Sequence, residues 1–190
     1  MERPVKFRTR RRYEIPWHAR YLTFSCWQEK AFLSKDFPRR WFRDAVLLAR
    51  RRHPFGLLAW VIMPEHVHLL LVPIPPSTVA EVLYAIKSSV AKKAVAHLRH
   101  TAPHRLATML DRQPSGRACY RFWQPGGGYD RNIWSVRDVH EKIGYIHNNP
   151  IRRGLVVRPE EWAWSSWQAW QMGIDDPLPI DRDMVPPLER

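Results

Sequence analysis

The chain has 190 residues, enough for one domain with a buried core, and 45% of them are hydrophobic, which excludes wholesale disorder. No apolar run approaches the roughly 20 residues of a membrane-spanning helix, and no apolar segment follows the charged N-terminus as in a secretory leader. Lys and Arg total 31 against 18 Asp and Glu, a net charge of +13, and such an excess favours a polyanion partner through counterion release.

Residues 1–16 read as a basic arm built on "RPVKFRTRRR" (3–12), with Arg10, Arg11 and Arg12 as candidate DNA contacts. Residues 17–172 form the domain proper. "RYLTFSC" (20–26) is β-branched and aromatic, as in a strand. "FPRRWFRDAVLLARRR" (37–52) spaces Trp41, Ala45, Leu48 and Ala49 as on a helix. "LLAWVIM" (57–63) and "HVHLLLV" (66–72) are two further strands joined through Pro64 and Glu65 in a hairpin. A capping box, Thr78 with Glu81, opens a long helix over roughly 78–99. Residues 101–117 are polar and rich in breakers, which predicts a loop. "ACYRFWQ" (118–124) and "YDRNIW" (129–134) are short strands around the flexible "PGGG". Ser135 and Asp138 mark the start of another helix, expected to stop at Pro150. Pro159 opens a last short helix through "EEWAWSSWQAW". The tail, 173–190, is rich in Pro and Asp and reads as a linker or a loosely packed extension. One mostly antiparallel sheet with helices on one face, an α+β fold, accounts for this order. Cys26 and Cys119 are too few for a disulfide framework; with no export signal in view, the expected location is the cytoplasm, in association with the nucleoid.

Two stretches carry chemistry. In "MPEHVHLLL", alternation along a strand turns His66 and His68 to the same face, with Leu70 and Val72 beyond them. Two same-face imidazoles are a workable pair for a divalent cation, but a pair alone is more often structural. In "IGYIHNNPIRRGLV", Tyr145 and Asn149 stand one helical turn apart, so a phenol and a hard amide oxygen share a face. Taken alone, a core tyrosine and a helix-capping asparagine explain that pair better. Tyr129, beyond the glycines and before Asp130, is the rival nucleophile; Tyr21, Tyr84 and Tyr120 read as packing residues. His140 and His147 point off the Tyr145 face of the helix.

Together with "FWQPGGGYDR" and "PEEWAWSSW", these blocks resemble, in order, those of REP-associated tyrosine transposases. These are single-tyrosine members of the superfamily whose signature is His, hydrophobic, His. The resemblance covers about residues 17–170. It implies a ferredoxin-like (RRM-like) sheet, a divalent metal (Mg²⁺ or Mn²⁺) on His66, His68 and Asn149, and Tyr145 as the nucleophile, with His66 and His68 catalytic through the metal. It also implies cleavage and rejoining of single-stranded or hairpin DNA through a 5′-phosphotyrosine. Glu65 stands where the family more often has Asn, which makes it a candidate outer-shell group. Lys87, Arg131, Arg152 and Arg153 are further candidate DNA contacts, with Lys92 and Lys93 behind them. Both a monomer and a homodimer fit. Rival readings are a non-catalytic module binding single-stranded nucleic acid, a metal hydrolase that forms no covalent species, and a degenerate transposase.

Overall fold

The computed structural model describes residues 13–188, so the expected DNA contacts Arg10, Arg11 and Arg12 lie outside it. Strand β1 (Arg20–Ser25) is followed by helix α1 (Asp36–Arg52), strands β2 (Phe55–Ile62) and β3 (His66–Pro73), and helix α2 (Val79–Thr101). Thr78 and Glu81 cap α2 reciprocally, as their spacing predicts. The segment expected as a loop holds a 3-10 turn (Pro103–Met109) and strand β4 (Leu110–Arg112). β4 pairs with β5 (Ala118–Tyr120) in a separate two-stranded ribbon, so the predicted 118–124 strand is shorter and lies outside the main sheet. Strand β6 (Tyr129–Asn132) and helix α3 (Val136–Arg152) follow.

The main sheet runs β2-β3-β1-β6 with every neighbour antiparallel. That is the ferredoxin-like order, and the α+β class expected from the sequence holds. The helices, however, are not on one face. Leu22, Phe24, Trp60, Val67, Leu69 and Leu71 pack with residues of α1 and α2, whereas Tyr21, Val61, Leu70 and Val72 pack with Val139, Ile143 and Ile146 of α3. The reason is visible in β2, which is buried along its whole length. A strand covered on both faces reads as a continuous apolar run, and an irregularity between Leu57 and Ala59 keeps Leu58 on the α3 side.

β2 lies at the sheet margin, where unpaired backbone would invite another strand. The C-terminal segment covers it. Ile62 N donates to Trp164 O, Ser166 N to Trp60 O, and Trp170 Nε1 to Leu58 O. The single helix expected from Pro159 is therefore broken into a 3-10 turn (Pro159–Glu161) and α4 (Trp167–Met172), the intervening residues being used against β2. The tail is not loosely packed either. Leu178 and Ile180 enter the α1/α2 core, and Asp181 accepts hydrogen bonds from Leu57 N and Arg50. None of the described helices is long and apolar enough to cross a membrane.

Candidate active site

α3 settles on the face of the sheet to which His66 and His68 point. Its buried stripe of Val139, Ile143, Ile146 and Pro150 recurs at three- and four-residue intervals. Pro150 does not end the helix as expected. It sits inside it, and the chain turns out only at Gly154, whose φ of 65° is left-handed and whose N–H closes on Ile151 O. The extra residues keep Arg152 helical and make Arg153 the C-cap, and so aim both at the site. Arg152 lies seven residues beyond Tyr145 and Arg153 four beyond Asn149, which are same-face spacings.

The result is a convergence. His66 Nε2 and His68 Nε2 are 3.0 Å apart, and the Asn149 side-chain amide is 3.0 Å from His68 Nε2. The ring of Tyr145 stands edge-on to His68, centroids 5.8 Å apart. His68 and Asn149 are buried; Tyr145 is half-buried. Each imidazole is oriented from behind. The Glu65 carboxylate accepts from His66 Nδ1 at 3.0 Å, and Arg153 donates to the same oxygen at 2.8 Å. His68 Nδ1 meets the Tyr21 hydroxyl at 2.8 Å and Thr23 Oγ1 at 2.7 Å. Both anchors fall on Nδ1, which leaves both Nε2 atoms facing the common point.

Electrostatics keep the imidazoles neutral. Burial is the main cause for both. It lowers His66 against the opposing pull of Glu65, and it lowers His68 to about 3 with help from the neighbouring His66. Neutral imidazole is the form that ligates metal. Burial also raises the Tyr21 hydroxyl above its ordinary range, which fixes it as a neutral hydrogen-bonding group. Cations surround the phenol of Tyr145. Arg152 Cζ is 5.0 Å from its ring centroid, and Lys142 Nζ is 5.8 Å from the centroids of both Tyr145 and Tyr21.

The donor set fits a hard divalent ion. Two nitrogens each about 2.1 Å from one cation at a right angle stand about 3.0 Å apart, which is the spacing found here. A half-turn of the Asn149 amide exchanges Nδ2 for Oδ1 without moving the group. No three His, Cys, Asp or Glu side chains gather as a metal site among the described residues, so a third donor beside the two imidazoles would have to come from the Asn149 amide.

The remaining candidates divide. Arg152 and Arg153 reach the site, whereas Arg131 lies on β6 in an ion pair with Asp138 at 2.9 Å. Lys87 faces the other side of the sheet, where its ammonium braces the carbonyls of Gln124 and Gly126 rather than standing free for a phosphate. Lys93 is drawn to Asp44, 3.7 Å away. Tyr129, the rival nucleophile, sits opposite Thr23 with its ring 5.9 Å from that of Tyr21. His147 is turned to Ser166 Oγ at 2.9 Å and His140 to Pro186 O, both away from the histidine pair. Sequence reasoning missed Tyr21, Thr23 and Lys142. The polar alternation Tyr21, Thr23, Ser25 along β1 and the position of Lys142 three residues before Tyr145 are the signals that carried them.

A ferredoxin-like domain with a His-hydrophobic-His pair beneath a tyrosine-bearing helix is the class that fold and site define. Comparison with known proteins narrows it. Over 127 residues (66% of this chain) the sequence is 24% identical to the REP-associated tyrosine transposase of Escherichia coli strain K12. Over 131 residues it is 27% identical to a putative REP-associated tyrosine transposase of Haemophilus influenzae strain Rd. The matched stretch spans 62% and 66% of those relatives, just under two thirds of either. No family model matches. The fold is similar to a solved REP-associated tyrosine transposase bound to a REP hairpin, with a TM-score of 0.68, 20% identity, and 88% of this chain and 87% of that one covered. The resemblance read from the sequence holds: the chain is similar, in sequence and in fold, to the REP-associated tyrosine transposases.

Proposed function

We propose that this chain is a tyrosine transposase that cleaves and rejoins single-stranded DNA next to a hairpin, with Tyr145 as nucleophile and a divalent ion, Mg²⁺ or Mn²⁺, held by His66, His68 and Asn149. The observation that carries this reading is the meeting of three donors from β3 and α3 at one point, with the ring of Tyr145 edge-on to His68 beside them. When bound, the ion polarises the scissile phosphate and offsets its developing charge. Glu65, Tyr21 and Thr23 hold the two imidazoles in the ligating orientation. Lys142 and Arg152 bring positive charge against the phenol ring, where a phosphate would have to approach.

In the forward step the Tyr145 oxygen bonds to phosphorus, the P–O3′ bond breaks, and the phenol proton ends on the departing 3′-oxygen, which leaves as a hydroxyl. The product is a 5′-phosphotyrosine. Attack by a 3′-hydroxyl of the same or another strand reverses the balance and frees the tyrosine, so no nucleotide cofactor is consumed. Because tyrosine and histidines come from one chain, a single copy holds a complete site, which supports a monomer. The hairpin named for the solved relative supports a hairpin partner here, and nucleoid association follows from that substrate.

The test is a denaturation-resistant protein–DNA adduct with a labelled hairpin-bearing oligonucleotide and Mn²⁺. The wild type should form it, Tyr129→Phe should retain it, and Tyr145→Phe should abolish it. An adduct that survives in Tyr145→Phe refutes the assignment, and binding with neither cleavage nor adduct in the wild type leaves a non-catalytic nucleic-acid-binding module.

A further inference from the structure

On the opposite face of the sheet, α1, α2 and the 3-10 turn at Pro103–Met109 border a half-open cavity of about 250 Å³. Three of its walls are rings in mutual contact: Phe37 and Trp41 at 5.1 Å, Phe37 and His97 at 5.1 Å, Trp41 and His97 at 5.2 Å. Phe37 is 41% exposed, so part of its ring is open to a ligand. Lys30, Lys35 and Arg105 line the same cavity, and among the described residues no carboxylate does. Asp36, beside it in sequence, is occupied elsewhere, accepting from Trp164 Nε1 at 2.9 Å with Arg39 at 3.6 Å. Lys30 spends one donor on Thr108 O, which still leaves its charge at the cavity.

Aromatic walls with cationic neighbours and no competing anion match a flat ring that carries a negative charge. The volume is below the roughly 300–1,000 Å³ of drug-sized sites and suits one ring system. We propose that this cavity takes one unstacked base of a single strand, with Phe37 and Trp41 as the stacking surfaces and Lys35 and Arg105 meeting its phosphates. The chain connects it to the candidate active site. Cys26 N donates to Glu65 O and Leu33 N to Pro64 O, so the segment forming one cavity wall is tied to the turn that precedes His66. The nucleic-acid identity of the ligand rests on the proposed function; the aromatic, cation-lined cavity does not.

The probe is a single-stranded thymidine 12-mer with one 5-iodouracil, mixed with the full chain in EDTA so that no metal-dependent cleavage intervenes, irradiated, and mapped by mass spectrometry. Crosslinks should fall on Phe37, Trp41 or His97. Phe37→Leu should weaken 12-mer binding about tenfold, and Lys35→Ser should weaken it while flattening its salt dependence, both with the thermal midpoint of the parent. A 12-mer that binds but crosslinks only elsewhere, with both variants at parental affinity, overturns the cavity assignment and leaves the proposed function standing. Thymidine monophosphate binding as tightly as the 12-mer overturns it too, in favour of a free-nucleotide site. Failure of the 12-mer to bind at all overturns this assignment and leaves the proposed function standing, since that reading is tested by the adduct with a hairpin-bearing oligonucleotide.

Discussion

His68 is held by two hydroxyls on one nitrogen, and this redundancy makes a sharp prediction. Nδ1 offers either one lone pair or one proton, so at any moment it makes one full hydrogen bond, with Tyr21 at 2.8 Å or Thr23 at 2.7 Å. Tyr21→Phe alone leaves Thr23 in place, and Thr23→Val alone leaves Tyr21. Each single variant should therefore lose less than about 1 kcal/mol. The double variant strands a buried ring nitrogen, since His68 is only 5% exposed, and that should cost about 2–3 kcal/mol, more than the two singles together. Metal affinity should follow the same pattern, because an imidazole without its outer partner is neither oriented nor polarised. Removing such partners lowers affinity roughly 10- to 100-fold, and here only the double variant should show it. Urea unfolding in EDTA measures the first quantity and Mn²⁺ titration calorimetry the second. Strictly additive stabilities, or a double variant that binds Mn²⁺ like the wild type, would refute the claim that these hydroxyls serve as alternates on one ligand.

Three further expectations concern the frame around the site. His147 is buried against Ser166, and burial lowers it from 6.5 to about 4. Its folded value lies below its unfolded one, so its contribution is intact above pH 6.5 and lost as pH falls toward 4, at most about 3 kcal/mol; His147→Gln should make urea midpoints less steep between pH 7 and pH 4.5, and an unchanged slope would contradict this. Arg20 is 1% exposed and paired bidentately with Asp130 at 3.0 and 2.7 Å. Asp130→Asn should lower stability by about 3 kcal/mol, the lower end of the range for a broken buried pair because Glu14 lies 3.7 Å from Arg20, seen as a lower melting midpoint by circular dichroism. Gly128 has a φ of 75°, and a Cβ there would stand 2.2 Å from Thr23 O; Gly128→Ala should cost more than about 1 kcal/mol and should lower the adduct yield, since it displaces β1 beneath His68.

Much of this architecture was legible before the fold. The capping box at Thr78, the hairpin through Pro64 and Glu65, and the same-face histidines follow from local spacing, and each has its place in the structure. What local spacing leaves open is which surface a helix chooses. The burial of β2 on both faces was written in its unbroken apolar run, yet that run is equally compatible with a strand covered on one face. Pro150 misled for a physical reason: a proline is disfavoured in a helix interior, but with one turn left its lost hydrogen bond is small beside the burial of the α3 stripe. The tail looked loose because its prolines and aspartates signal a linker, while Leu178, Ile180 and Asp181 find their partners more than a hundred residues away. The outer partners of the histidines were hidden likewise, since Tyr21 and Thr23 approach His68 only once β1 pairs with β3.

The account stands on one cation being gripped by two imidazoles and an amide beside a phenol. Mn²⁺ binding followed by electron paramagnetic resonance tests this directly on the full chain. Wild type and Tyr145→Phe should bind Mn²⁺ alike, whereas His66→Ala, His68→Ala and Asn149→Ala should each weaken binding at least roughly tenfold. Asn149→Ala binding as tightly as wild type, or a wild type that leaves Mn²⁺ free in solution, would contradict it.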